Sequence, residues 1–301
     1  MFDNIFAAIE KWMRELLTGM VESNMSTMFT DVNEKTSEIA AQVGRTPQNW
    51  NSSVFSMIQN LSESVVVPIA GIIITLVLCY ELISMLTERN NLHDVDAWMF
   101  FKYFVKAWVA IYLVSNTFTI TMAVFDVGQS VVNSASGIIN GETAIDVSSL
   151  SMQMQAAMAT MEIGELVVLA LETFLVSFCM KIMSVVITVI VYGRMIEIYL
   201  YTSLAPIPFA TMSNREWGHV GTNYFRGLFA LAFQAFLMMV CVAIYAALIS
   251  SVRISSNMHS ALIGVAAYTV ILCFSLMKTG SLSKQIFGCL LYTSDAADDL
   301  T

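Results

Sequence analysis

Long apolar runs alternate along the chain with shorter polar stretches, and the runs have membrane-crossing lengths. Residues 65–85 (VVVPIAGIIITLVLCYELISM) carry no charge before Glu81. A second run covers about 103–125, with Trp108 and Tyr112 toward one end, and two uncharged runs cover about 227–250 and 261–277. A crossing helix needs about 20 mainly apolar residues, so each run predicts one span. Pro68 falls in the first turn of the first span, where a missing N–H is harmless. Residues 165–212 are also apolar, but Glu172, Lys181, Arg194 and Glu197 interrupt them. That stretch is longer than one crossing requires, and no turn signal divides it in two. The element Ala205-Pro206-Ile207-Pro208 breaks a helix near its end.

The remaining segments carry weaker patterns. Phe2, Ile5, Ile9, Trp12, Leu16 and Met20 fall at helical spacing with charges opposite, predicting an amphipathic helix over 2–21. It either lies in the membrane interface, with Trp12 at headgroup level, or packs against its own protein. Residues 22–64 read as polar and loop-like, with a break at Gly44-Arg45-Thr46-Pro47. Residues 126–164 are rich in Ser, Asn, Gly, Gln and Met and contain no Lys or Arg. They read as a loop with a turn at Asn140-Gly141 and a short helix, capped by Ser148 or Ser149, running through Met161.

Composition makes the bilayer assignment firm. The 301 residues are 57% hydrophobic and 12% charged, against about 25% charged in a soluble domain. The net charge of −9 suggests no nucleic-acid-binding surface. The expected fold is all-α: a polytopic membrane helix bundle in a cytoplasmic membrane, with an N-terminal amphipathic helix.

Lys/Arg placement sets the topology. Arg89, Lys102 and Lys106 put the loop between the first two spans inside, so 126–164 lies outside. One crossing by 165–212 then puts Arg194, Arg215 and Arg226 inside, Arg253 outside, and Lys278 and Lys284 inside. That gives about five crossings with the N-terminus outside. A hairpin over 165–212 gives six and strands Arg215, Arg226, Lys278 and Lys284 outside, so five is preferred. The organisation read is an extracytoplasmic region over 1–64 and a transmembrane bundle over 65–288 with the external loop 126–164. Residues 289–301 are set apart, because Cys289 to Asp299 back-translate into a transposase-type sequencing adapter. They are expected to be an artefact; the alternative is a short acidic tail.

Nothing in the chain assembles a catalytic centre. There is no phosphate-binding loop ending in Lys-Ser/Thr and no Gly-x-Ser-x-Gly elbow. His93, His219 and His259 are scattered, each in a predicted loop, and Cys79, Cys179, Cys241 and Cys273 sit in apolar runs. The expectation is no enzyme, no cofactor and no metal. Asp3, Glu10, Lys11, Arg14 and Glu15 interrupt the first residues, so these are not expected to act as a secretory signal peptide.

The intramembrane charges are the strongest local signal. Lys181 in lipid would cost about 2.5–3.5 kcal/mol, so it is expected to face protein or a water-filled cavity. Lys181, Glu172 and Glu81 are therefore candidates for a polar conduit or subunit contact. The alternatives are a packing ion pair and snorkelling. Glu172 and Lys181 lie on different turns, so a pair within the helix is not expected. Arg194 and Glu197, at i and i+3, are a candidate ion pair at the inner boundary. Pro206 and Pro208 mark a candidate gate or re-entrant break, or else a simple kink. Met152, Met154, Met158 and Met161 suit packing, or docking of a partner.

Three segments carry a resemblance. They are Asn91 to Lys102 (NLHDVDAWMFFK), Tyr192 to Leu200 (YGRMIEIYL) with Ala205-Pro206-Ile207-Pro208, and Phe274 to Leu282. Together they resemble a TrbL-like conjugal-transfer family from mobile elements of Gram-positive bacteria, over nearly the whole chain to about Phe287. The resemblance implies a polytopic inner-membrane subunit of a type IV secretion mating channel. Such a subunit helps single-stranded DNA with attached protein across the cytoplasmic membrane. The implied partners are other secretion subunits and their ATPases, the transient DNA–protein substrate, membrane lipid and further copies of the chain. The family's external N-terminus, central external loop and five crossings match the charge-based topology. Its external loop is linked to substrate contact, which maps here to 126–164. Lacking Lys and Arg, that loop cannot hold phosphates by charge, so contact with protein subunits or the lining of a pore fits better. Two other functions stay open: a secondary transporter using Lys181 and Glu172, and a non-conducting membrane scaffold. Against the transporter, there is one broken segment and no internal symmetry.

Overall fold

The structure, a computed structural model, describes residues 2–87, 97–139, 147–214, 216–252 and 258–298. The predicted Asn140-Gly141 turn, the topology markers Arg89, Arg215 and Arg253, His93 and the segment 91–96 lie outside the described residues. Among the described residues the chain is helical, without strands. Five stretches are long and apolar enough to cross a membrane: Ser52–Thr87, Trp98–Ser115, Ile163–Ser203, Gly218–Ser250 and Met258–Gly288.

The largest departure from the sequence reading is at the N-terminus. Residues 22–43 are not a loop; α1 runs unbroken over Phe2–Val43. Its second half has a buried stripe of Val21, Met25, Met28, Val32, Ile39 and Val43. The 3–4 spacing of these residues makes one helix face, and tertiary cover holds it despite the polar residues between. The predicted break follows at once. Thr46 caps α2 (Pro47–Trp50) by accepting from the Asn49 N–H at 3.2 Å, with Pro47 at the first helical position. Asn51 caps α3 (Ser52–Leu61) in the same way. A single π turn, Ser62–Val66, leads into α4 (Val67–Thr87).

The second span is earlier and shorter than the run 103–125 suggests. α5 (Ala97–Ser115) ends at Asn116 and α6 (Thr117–Ile139) resumes beyond it. There the Asn116 Nδ2 donates to the Tyr112 carbonyl at 2.9 Å and the Thr117 hydroxyl donates to the Leu113 carbonyl at 2.8 Å. Side chains thus compete with the helical ladder at the junction. α6 continues to Ile139 and α7 covers Val147–Ala159, so most of the described part of 126–164 is helix rather than loop. α7 begins at Val147, so Ser148 and Ser149 lie within its range.

α8 (Ile163–Ser203) is one continuous helix, which answers the question left by the undivided run: it favours one crossing and five spans in total. α9 (Pro206–Thr211), α10 (Gly218–Ser250) and α11 (Met258–Asp298) complete the chain. His219 and His259 fall in the first turns of α10 and α11, not in loops.

The helices form two compact units. The first comprises Met1–Val43, Ser134–Val191 and Met238–Thr279. In it α1 runs alongside α8. Arg14 Nη1 donates to the Met161 carbonyl at 2.8 Å, just before α8, and Lys35 Nζ donates to Thr188 Oγ1 at 3.2 Å, well along it. Those anchors lie about 31 Å apart along α1 at 1.5 Å per residue. α1 therefore follows α8 rather than lying across it. α7 packs against α1 with Met154 and Met158 buried, and Gln155 Nε2 donates to Glu22 at 2.6 Å. Met152 points outward.

The second unit comprises Gly44–Asn133, Tyr192–Leu237 and Gly280–Thr301. One core joins Ala70, Ile74 and Leu78 of α4 to Ala110 of α5 and Phe209 and Ala210 of α9. Another joins Val124 and Phe125 of α6 to Met195 and Ile198 of α8 and Leu228 and Leu231 of α10. Tyr199 anchors the N-terminal junction, its hydroxyl donating to the Pro47 carbonyl at 2.6 Å.

Candidate functional site

The helix break at Pro206 and Pro208 is the best-defined unusual element of the second unit. Pro206 has no N–H to offer the α8 ladder, and its ring displaces the preceding turn, so α8 stops at Ser203. The Thr202 and Ser203 hydroxyls turn back onto the carbonyls of Ile198 (2.7 Å) and Leu200 (2.8 Å). The chain re-enters helix at once as α9, whose Pro206, Phe209 and Ala210 are buried. α9 packs against both α4 and α5. Non-helical backbone in a membrane bundle persists where protein surrounds it, and α9 has that surrounding.

A polar cluster pins the turn after α9. Glu81 of α4 accepts from Lys106 of α5 at 2.5 Å and from the Asn214 amide at 3.2 Å. Asn214 is buried, and its Oδ1 accepts from the backbone N–H groups of Glu216 (2.7 Å) and Trp217 (3.1 Å). That is an Asx-type turn ahead of α10. The Tyr80 hydroxyl donates to Glu216 at 3.0 Å, and the Tyr80 ring stacks on Trp217 with centroids 5.6 Å apart. Beyond the turn, Gly221 of α10 lies so close to α9 that an added Cβ would sit 2.5 Å from the Pro208 carbonyl oxygen. Tyr201 and Tyr224 stack with centroids 4.6 Å apart, and the Tyr224 hydroxyl donates to the Tyr201 carbonyl at 2.8 Å. Glu81, Pro206 and Pro208, singled out separately in the sequence, thus belong to one assembly. Lys106 and Asn214 complete it; no local pattern marks them, because their partner is remote in sequence.

The other candidates fall differently. Arg194 and Glu197 form no ion pair with each other. Arg194 is buried, with Nη2 at 3.4 Å from the Leu231 carbonyl, while Glu197 accepts from Lys284 at 3.0 Å. In the first unit Glu172 pairs with His259 of α11, not with Lys181. Glu81 is likewise engaged elsewhere. Lys181 is exposed on α8, and among the described residues it has no hydrogen-bond or ion-pair partner. Facing hydrocarbon, it would carry the penalty of about 2.5–3.5 kcal/mol. Among the described residues no cluster of three or more His, Cys, Asp or Glu side chains is placed to hold a metal ion.

Apolar helices of crossing length and a protein-packed break define a multi-pass, all-helical membrane protein. Residues 32–206, more than half of the chain, match the model of the TrbL/VirB6 plasmid conjugal transfer like protein family, and the chain belongs to that family. The match includes α8 and reaches Pro206 at the break. Membership implies a membrane subunit of a conjugal transfer system and a place in a multi-subunit complex. No curated protein and no solved structure matches.

Proposed function

We propose that the chain is a channel or scaffold subunit of a type IV secretion system in the cytoplasmic membrane, and that it helps single-stranded DNA with attached protein to cross. The observation that supports this reading is the family match over 32–206, which ends within the broken α8–α9 segment. In this reading the N-terminus is outside, α8 crosses once, and α9 is a gate element held by Glu81, Lys106 and Asn214. Separate ATPases supply the energy. The transferred strand is not gripped by residues 126–164, which hold no basic side chain.

The test is complementation of a donor strain lacking the chromosomal or plasmid copy of this chain. The wild type should restore transfer. Pro206→Ala with Pro208→Ala should let α8 propagate through the break and lower transfer at unchanged protein level. Full transfer by the double variant removes the gate role. Failure of the wild type to restore transfer removes the secretion reading altogether.

A further inference from the structure

The outward line of α1 changes character partway along the helix. Ile5, Ile9, Trp12, Leu16 and Met20 are exposed along it. Ser23, Ser26, Thr30, Glu34 and Ser37 then continue the same line at 3–4 spacing and are also exposed. The polar part is the part that runs beside α8, as the Lys35–Thr188 hydrogen bond fixes. Yet α8 is apolar there on its own outer face, where Leu171, Phe174, Phe178, Val185 and Val189 are all exposed. A hydroxyl-rich stripe and a stripe of large hydrocarbon side chains therefore lie side by side at one depth of one compact unit. No single solvent suits both.

Lys181 sits at the border between them. By spacing it shares a line with Ser177, Ser184 and Thr188. Thr188 receives the Lys35 hydrogen bond, so this line is the edge of α8 that meets α1. Phe178 and Val185 belong to the neighbouring, outer line. Behind α1 a small cavity of mixed lining separates Asp31, Val32 and Lys35 from Ser184, Ile187, Tyr245 and Thr269.

We propose that the stripe Ser23–Ser37 of α1, with Lys181 of α8, faces an aqueous path at the depth where α8 is most apolar, while the Phe178–Val185 face meets lipid. The proposal rests on the reading of the chain as a channel subunit and assigns the wall of that channel. The wall is hydroxylated and sparse in cations: Glu34 is exposed, Asp31 lies half-buried beside it, Lys35 is turned to Glu38 and Thr188, and Lys181 is the one cation the proposal places in it. Such a wall lets a polyphosphate chain pass without holding it.

The test is thiol accessibility of the full chain in native membranes. Ser26→Cys, Thr30→Cys, Ser37→Cys and Lys181→Cys are compared with Phe178→Cys and Val185→Cys. The probe is a membrane-impermeant cationic methanethiosulfonate, read peptide by peptide by mass spectrometry so that native cysteines can stay. Reaction requires the thiolate, which forms only in contact with water. The first four should react at least about tenfold faster than the last two. Equal slow reaction at all six positions overturns the proposal, because the stripe is then covered. Equal fast reaction also overturns it, because this part of α8 then lies outside the bilayer. Transfer frequency after modification is read separately. Transfer that persists through a fully modified stripe would leave the aqueous wall in place and refute the idea that DNA travels along it.

Discussion

Alanine at Gly221 should destabilise the protein where alanine at Gly71 does not. Both glycines lie within helices, where replacing Gly by Ala favours helix by about 1 kcal/mol. At Gly71 an added Cβ meets nothing within 4 Å, so that gain stands alone. At Gly221 the same atom would lie 2.0 Å from Met212 Cγ and 2.5 Å from the Pro208 carbonyl oxygen. Met212 can change rotamer. The Pro208 carbonyl belongs to α9, which is wedged against α4 and α5 and cannot move without unpacking Phe209. Overpacking of this kind costs typically 1–3 kcal/mol. Net of the helix gain, the loss is up to about 2 kcal/mol; because both variants share that gain, Gly221→Ala should lie about 1–3 kcal/mol below Gly71→Ala, a Tm gap of at least roughly 2 °C. The assay is thermal unfolding of both variants in one lipid nanodisc preparation. A Gly221→Ala protein melting at or above Gly71→Ala would refute the packed seat of α9.

Two further outcomes follow from the same geometry. Glu81→Ala and Lys106→Ala should each loosen the turn after α9, and a double-mutant cycle should return a coupling of about 1–2 kcal/mol. The value is modest because Lys106 is 41% and Glu81 25% exposed; a coupling near zero would mean that the pair does not hold the turn. Tyr199→Phe removes the hydroxyl donated to the Pro47 carbonyl and should cost about 0.5–1.5 kcal/mol. It should also raise hydrogen exchange in α2 and α3, and unchanged exchange there would contradict the anchoring role.

The membrane spans were legible because an apolar run of about 20 residues has few other fates. The break at Pro206 and Pro208 was legible because proline acts locally. The helix over residues 22–43 was present as the 3–4 spacing of Val21, Met25, Met28 and Val32, but its polar residues masked the pattern. In isolation such a sequence has little reason to be helical; packing against α7 and α8 decides it. The helix through residues 126–139 was hidden by the same kind of composition. Pairings such as Glu172 with His259 and Glu81 with Lys106 depend on which helices become neighbours, which no local spacing records. At Arg194 and Glu197 the i, i+3 spacing was legible but the direct contacts were not: Arg194 approaches the Leu231 carbonyl and Glu197 accepts from Lys284.

A single crossing by α8, with the other four apolar stretches crossing once each, would give five crossings and put the α9 break and the start of α8 on opposite sides of the membrane. Thr160 and His219 are exposed at either end of the α8–α9 segment, so cysteine at each, labelled with an impermeant maleimide, reads the topology directly. The account predicts that Thr160→Cys labels in intact cells and His219→Cys only after permeabilisation. Labelling of both from the same side would mean that α8 does not make a single crossing, and would contradict the account.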